Sequence, residues 1–106
     1  MPDTAKIRAL NDTVRTSLTG CRVMITQGVR ALDLIDEVLA AVIAFDEFTE
    51  DNDPHHEHDF GSFHIDRQTV FWKFDNYDRV MVAGSEDPSD PAVTTRVLTI
   101  MLAEEY

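Results

Sequence analysis

Apolar residues recur every three or four positions at the start of the chain, with Ile7, Leu10, Val14 and Leu18 on one stripe. That spacing predicts an amphipathic helix. Asp3 or Thr4 can cap its start, and Gly20 can end it in a left-handed turn. Residues 22–26 are rich in β-branched and apolar side chains and follow a glycine, which predicts a strand that Gly28 breaks. A second helix is predicted over 33–48. There Leu34, Ile35, Val38, Leu39, Val42 and Phe45 form a wide apolar stripe and Asp33 is the candidate N-cap. A buried strand over 40–45 is the alternative.

Residues 50–61 are polar, hold Pro54 and Gly61 and lack periodicity, so they read as a loop. A hairpin follows, with strands over 62–65 and 69–74 and Asp66-Arg67-Gln68 at the turn. Alternation puts Val70, Trp72 and Phe74 on one face of its second strand. Residues 77–82 could add a further short strand, and 84–91 form a loop. Asp90-Pro91 resembles a helix start, so a last helix is predicted to about Glu104, with Val93, Val97, Ile100 and Met101 on its buried stripe. The order of elements implies an α+β fold, with three helices packed on a small antiparallel sheet of three to four strands. The 106 residues suit a single domain, 1–106.

Charge changes the picture more than any motif. The chain carries 20 acids against 9 Lys and Arg, a formal charge of −11. Direct binding to nucleic acid is disfavoured, because a phosphate backbone needs cations to displace its counterions. An anionic membrane surface is disfavoured for the same reason. No Lys or Arg occurs between Arg30 and Arg67, an interval that holds eleven acids. Asp46, Glu47, Glu50, Asp51, Asp53, Glu57 and Asp59 are its densest part. Such a cluster repels itself. Asp46, Glu47 and Glu50 also lie near a predicted helix C-terminus, where the dipole favours cations.

The loop also gathers candidate metal ligands in His55, His56, Glu57, His58 and Asp59, with His64 just downstream. Neighbouring loop residues seldom converge on one ion, and the helical spacing of a zinc protease is absent. Asp75 and Asp78, flanking Tyr77, are the nearest approach to an acid–base pair, and turn capping explains them as well. No nucleophile motif or phosphate-binding glycine loop occurs. No catalytic residue, metal or cofactor is therefore assigned. The one cysteine, Cys21, excludes an internal disulfide, reads as a buried small residue, and fits a reducing, cytoplasmic setting. No apolar run reaches the ~18 residues of a membrane span, and no signal peptide is evident.

The segment FDEFTEDNDPHHEHDFGSF and the tail TTRVLTIMLAEEY, with WKFDNYD between them, resemble a group of short alphaproteobacterial proteins known only as a domain of unknown function. The resemblance runs from Leu10 to Tyr106. Its specific part is Asn52-Asp53-Pro54, Glu57 to Gly61 and Arg96-Val97-Leu98. Phe74 and Asn76 depart from the family pattern. The resemblance implies a setting on plasmids and other mobile DNA, and no established activity.

The reading favoured by charge and resemblance is a non-enzymatic acidic binding or inhibitor protein. It would dock Asp46, Glu47, Glu50, Asp51, Asp53, Glu57 and Asp59 on the basic surface of a protein or nucleoprotein complex. Nucleic-acid mimicry of the anti-CRISPR or anti-restriction type is the sharper version. A metal-binding or metal-dependent hydrolytic protein built on residues 53–59 is one alternative. A self-associating module, dimerising through the apolar C-terminal helix, is another.

Overall fold

The computed structural model describes residues 3–106; Met1 and Pro2, the first two residues of the expected domain, lie outside it. Helix α1 (Thr4–Ser17) begins where the Asp3 carboxylate accepts the Lys6 amide N–H at 3.2 Å. It ends in left-handed Leu18, two residues before left-handed Gly20. Strand β1 (Arg22–Ile25) and a five-residue helix α2 (Gln27–Ala31) follow. Gly28 thus belongs to a short helix. A Cβ there would lie 2.7 Å from the Glu105 carboxyl carbon, so glycine allows that carboxylate to approach.

Helix α3 (Ile35–Ala44) is shorter at both ends than its apolar stripe suggests. Asp33 does not cap it. Asp33 has φ +59° and donates its amide N–H to the Arg30 carbonyl, in a turn that closes α2, and Leu34 takes the N-cap position. At the other end Phe45 is extended and buried. The apolar stripe continues past Ala44 because the aromatic side chains of an extended segment still face the core.

The hairpin comprises β2 (Phe60–Ile65) and β3 (Gln68–Tyr77), joined by Asp66 and Arg67 alone. Both have positive φ, 49° and 65°, the twist-matched geometry of a two-residue hairpin turn. Val70, Trp72 and Phe74 are buried on one face of β3, as the alternation requires. Of the further strand expected over 77–82, Tyr77 ends β3 and residues 78–82 form none. The chain turns after Tyr77 instead, with the Val82 amide donating to the Asp78 carboxylate at 3.0 Å, and Val80 and Val82 are exposed.

The largest correction concerns the C-terminus. Residues 95–102 are not a helix but strand β4 (Thr95–Leu102), capped by a short 3-10 turn η1 (Ala103–Glu105). Asp90 does cap a turn, accepting the Ala92 amide at 2.9 Å, but that turn does not propagate. β4 lies inside the sheet order β1-β4-β3-β2, parallel to β1 and antiparallel to β3. A central strand covered on both faces shows a nearly continuous apolar run, which a helical stripe also fits. The β-branched residues Thr95, Val97, Thr99 and Ile100 favour the strand. A dimer through a C-terminal helix loses its basis, since Ile100, Met101 and Leu102 are interior residues of a strand.

The fold is α+β: three helices and a four-stranded mixed sheet. Val14, Val29, Val38, Val42 and Phe45 pack with Val70, Trp72, Phe74, Leu98, Ile100 and Leu102 in one core. Burying each such side chain contributes about 1.5–3 kcal/mol. No helix among the described residues is long and apolar enough to cross a membrane.

Candidate functional site: the acidic loop and its brace

The chain between α3 and β2 carries the acids singled out above. It leaves α3 through Phe45 and Phe48, which pack edge-to-face on each other and on Trp72. The Arg15 guanidinium sits 5.1 Å from the Trp72 ring centre and 5.6 Å from that of Phe48. Its Nη1 donates to the Val42 carbonyl at 2.8 Å and the Ile43 carbonyl at 3.3 Å. A cation from α1 therefore meets the negative end of α3, and the acids that follow oppose a dipole already compensated.

His58 folds inward. Its ring lies flat on Phe48, with its Nδ1 2.8 Å from an Asp12 carboxylate oxygen and its Nε2 3.6 Å from Asp53. Asp53 is 3% exposed and accepts the His58 amide N–H at 3.0 Å. Asn52 closes the preceding turn: its Oδ1 accepts the Thr49 amide at 2.8 Å and its Nδ2 donates to the Glu47 carbonyl at 2.8 Å. From α1, Arg8 donates to the His56 carbonyl and Asn11 to the Glu57 carbonyl, both at 2.9 Å. Six side chains of helix and loop thus fix a segment without regular secondary structure.

This brace divides the seven acids. Asp46, Glu47, Glu50 and Asp51 are exposed. Asp53 is internal, and Glu57 and Asp59 are half-buried. Burial pushes the Glu57 carboxyl up from its ordinary value, and repulsion from Asp59 adds to this. Burial likewise raises Asp59. Among the described residues no Lys or Arg pairs with the four outer acids; exposed Glu50 has only the His56 ring, at 3.7 Å. An exposed contact of that kind contributes little.

The candidate metal ligands do not converge. His55 and His56 are exposed, His58 is turned toward α1, and His64 bonds Thr69 in the hairpin. Among the described residues no three His, Cys, Asp or Glu side chains are placed to hold an ion. Asp75 pairs with Lys73 at 2.7 Å, raising the lysine through that hydrogen bond, and Asp78 caps its turn, so the two form no acid–base pair. The α1 residues Arg8, Asn11, Asp12 and Arg15 carry the loop's geometry without being evident from its sequence. Their only signal is polar residues at helical spacing beside the apolar stripe, one of them the fully buried Asn11.

Comparison with known proteins adds one finding. No curated protein and no solved structure matches the chain significantly. A family model described as a protein of unknown function (DUF3768) matches residues 25–105, from the end of β1 to η1. With most of its length matched, including the acidic loop and β2 to β4, the chain belongs to the DUF3768 family.

Proposed function

We propose that this protein is a non-enzymatic binding protein that docks the outer acids of its braced loop, Asp46, Glu47, Glu50 and Asp51, on a basic partner surface. One observation carries the reading: these four carboxylates are exposed, lack Lys or Arg partners among the described residues, and sit on a loop held in shape from within. Unpaired charges of one sign cost stability through repulsion, and a cationic surface relieves that cost. A pre-shaped loop loses little entropy on docking. Asp53 acts from behind by holding His58.

The sharper form of the proposal is inhibition by nucleic-acid mimicry. Carboxylates spaced along a fixed loop take the place of phosphates in the basic groove of a nucleic-acid-handling complex, in the manner of an anti-restriction or anti-CRISPR protein. The net charge of −11 supports it by steering association over about one Debye length, ~8 Å at physiological salt.

Affinity capture at low and high salt tests the proposal, comparing the wild type with a variant carrying Glu47→Lys, Glu50→Lys and Asp51→Lys. The expected result is capture of a nucleic-acid-handling complex that weakens with salt and disappears in the variant. Capture of the same complex by a folded charge-reversal variant overturns the reading.

A further inference from the structure

One face of the sheet carries no helix among the described residues. Leu98, Ile100 and Leu102 of β4, with Val70, Trp72 and Phe74 of β3, point into the core that α1, α2 and α3 fill. Side chains alternate across a strand, so Val97, Thr99 and Met101 point the other way. The register sets Met24 of β1 beside Thr99, and Phe71 of β3 beside Met101, on that same outer face. An uncovered sheet face ordinarily reads polar. This one is apolar. Val97 and Met101 are buried there, beside Met81 from the turn after β3 and Tyr106 from the chain end, whereas Met24 is 56% exposed.

Large exposed apolar side chains gather around this face. Val80 and Val82, 73% and 82% exposed, flank Met81, and Tyr106, 77% exposed, packs edge-to-face on Phe71. With Met24 they are four of the five large apolar residues left open among the described residues; the fifth, Ile43, lies on α3. Two hollows lie between them and share Thr26 and Thr99, one along Met24, Tyr77 and Val97, the other along Lys73 and Met101. Charge is sparse and balanced. The one acid that alternation places on the strands here is Asp75, paired with Lys73 at 2.7 Å. Glu105, at the rim, accepts from the Thr26 hydroxyl at 2.6 Å and the Leu102 amide at 2.8 Å, and Arg22 adds a cation at one corner. The acidic loop lies on the far side of the sheet, where Phe48 packs on Trp72 and His58 bonds Asp12 of α1.

We infer that this face packs on its counterpart in a second copy of the chain, sheet against sheet, as a two-fold dimer. A two-fold interface must be self-complementary, and here protruding side chains and hollows lie on one face. Four strands ~4.8 Å apart, with up to eight residues rising ~3.3 Å each, give a footprint of about 500 Å². Two copies thus bury about 1,000 Å² from the footprint alone, the lower bound for a specific interface, and Val80, Val82 and Tyr106 add to it. Charge selects a second copy over a basic partner. A near-neutral apolar face offers a cation no counter-charge, and it is where two chains of −11 meet with least repulsion. Both acidic loops then point outward, on opposite sides of the dimer. The interface is separate from the acidic loop, so it stands or falls independently of the docking proposal.

Sedimentation equilibrium of the full chain, from about 1 μM to about 1 mM and at low and high salt, tests the inference. The expected result is a reversible dimer that tightens with salt, because salt screens the repulsion between the copies. Docking of the acidic loop on a basic partner weakens with salt, so the two contacts are distinguishable. Met24→Glu and Val82→Glu each set a charge in the apolar interface and should weaken the dimer at least about tenfold. Ile43→Gln, on α3, should leave it unchanged. Met24 and Val82 are exposed in a single copy, so circular dichroism of the dilute variants should match the wild type. A chain that stays monomeric throughout, or a dimer that both glutamate variants form as tightly as the wild type, overturns the inference.

Discussion

His58 lies flat on Phe48, with ring centres 3.6 Å apart and planes within 2° of parallel. The stack joins the first aromatic side of the acidic loop to its last histidine, and Asp12 and Asp53 flank the same imidazole. Replacing His58 by Ala removes the stack and leaves the internal Asp53 carboxylate without its neighbour. The expected cost is about 2–3 kcal/mol, with faster amide exchange across residues 47–58 than in β3. Denaturant unfolding and hydrogen exchange read the two effects. Equal protection in the variant and the wild type would show that the loop does not need this brace.

Gly61 and Gly28 differ in what a methyl group would meet. At Gly61 a Cβ runs into the Trp72 indole, at 2.6 Å from Cε2, and the Phe45 ring at 2.8 Å. Both rings are locked in the core, so Gly61→Ala should cost about 1–3 kcal/mol. At Gly28 the obstacle is the end of an exposed glutamate, which can swing away. Gly28→Ala should therefore cost less, mainly the lost Glu105 contact. Chemical denaturation of both variants checks the order.

Two groups of carboxylates give opposite pH dependences. Glu57 and Asp59 are raised by burial, so the folded state holds their protons more tightly than the unfolded chain. Stability then falls as pH rises from the ordinary carboxylate range, about pH 4, through their raised values. Asp59→Asn removes its own share of that decline and leaves the part that burial of Glu57 contributes. Glu105 is lowered, first by its hydrogen bond from Thr26, then by that from the Leu102 amide. Its contribution is present above the ordinary glutamate value and disappears as pH falls through the lowered one. Glu105→Gln should flatten the acid limb of a melting-temperature series. A profile unchanged by both substitutions would contradict these assignments.

Leu98 is fully buried in β4 and paired with Val23 on one side and Phe74 on the other. Leu98→Ala should cost about 2–5 kcal/mol, and the amides of β4 should be among the slowest to exchange. Rapid exchange there would be inconsistent with a central strand.

The legible parts of this fold are those where local pattern and tertiary environment agree. The stripe Ile7, Leu10, Val14 marks α1, and Val70, Trp72 and Phe74 mark the buried face of β3. β4 was ambiguous because burial on both faces erases the two-residue alternation that separates a strand from a helix. α2 is five residues long, too short for periodicity to register, and contains a glycine. In the loop, composition locates the acids but cannot sort them. Asp53 and Asp51 are equivalent in sequence, yet one is internal and the other exposed, because α1 reaches the loop from more than forty residues away.

The central claim is that the outer acids occupy a basic, nucleic-acid-binding surface. The direct measurement is competition: labelled duplex DNA is bound to the captured partner, the protein is added, and displacement and association rate are followed as salt is raised. The account predicts that the wild type displaces the DNA, with an association rate that falls steeply with salt, and that the Glu47→Lys, Glu50→Lys, Asp51→Lys variant does neither while keeping its fold. Simultaneous binding of protein and DNA, or an association rate indifferent to salt, would contradict it.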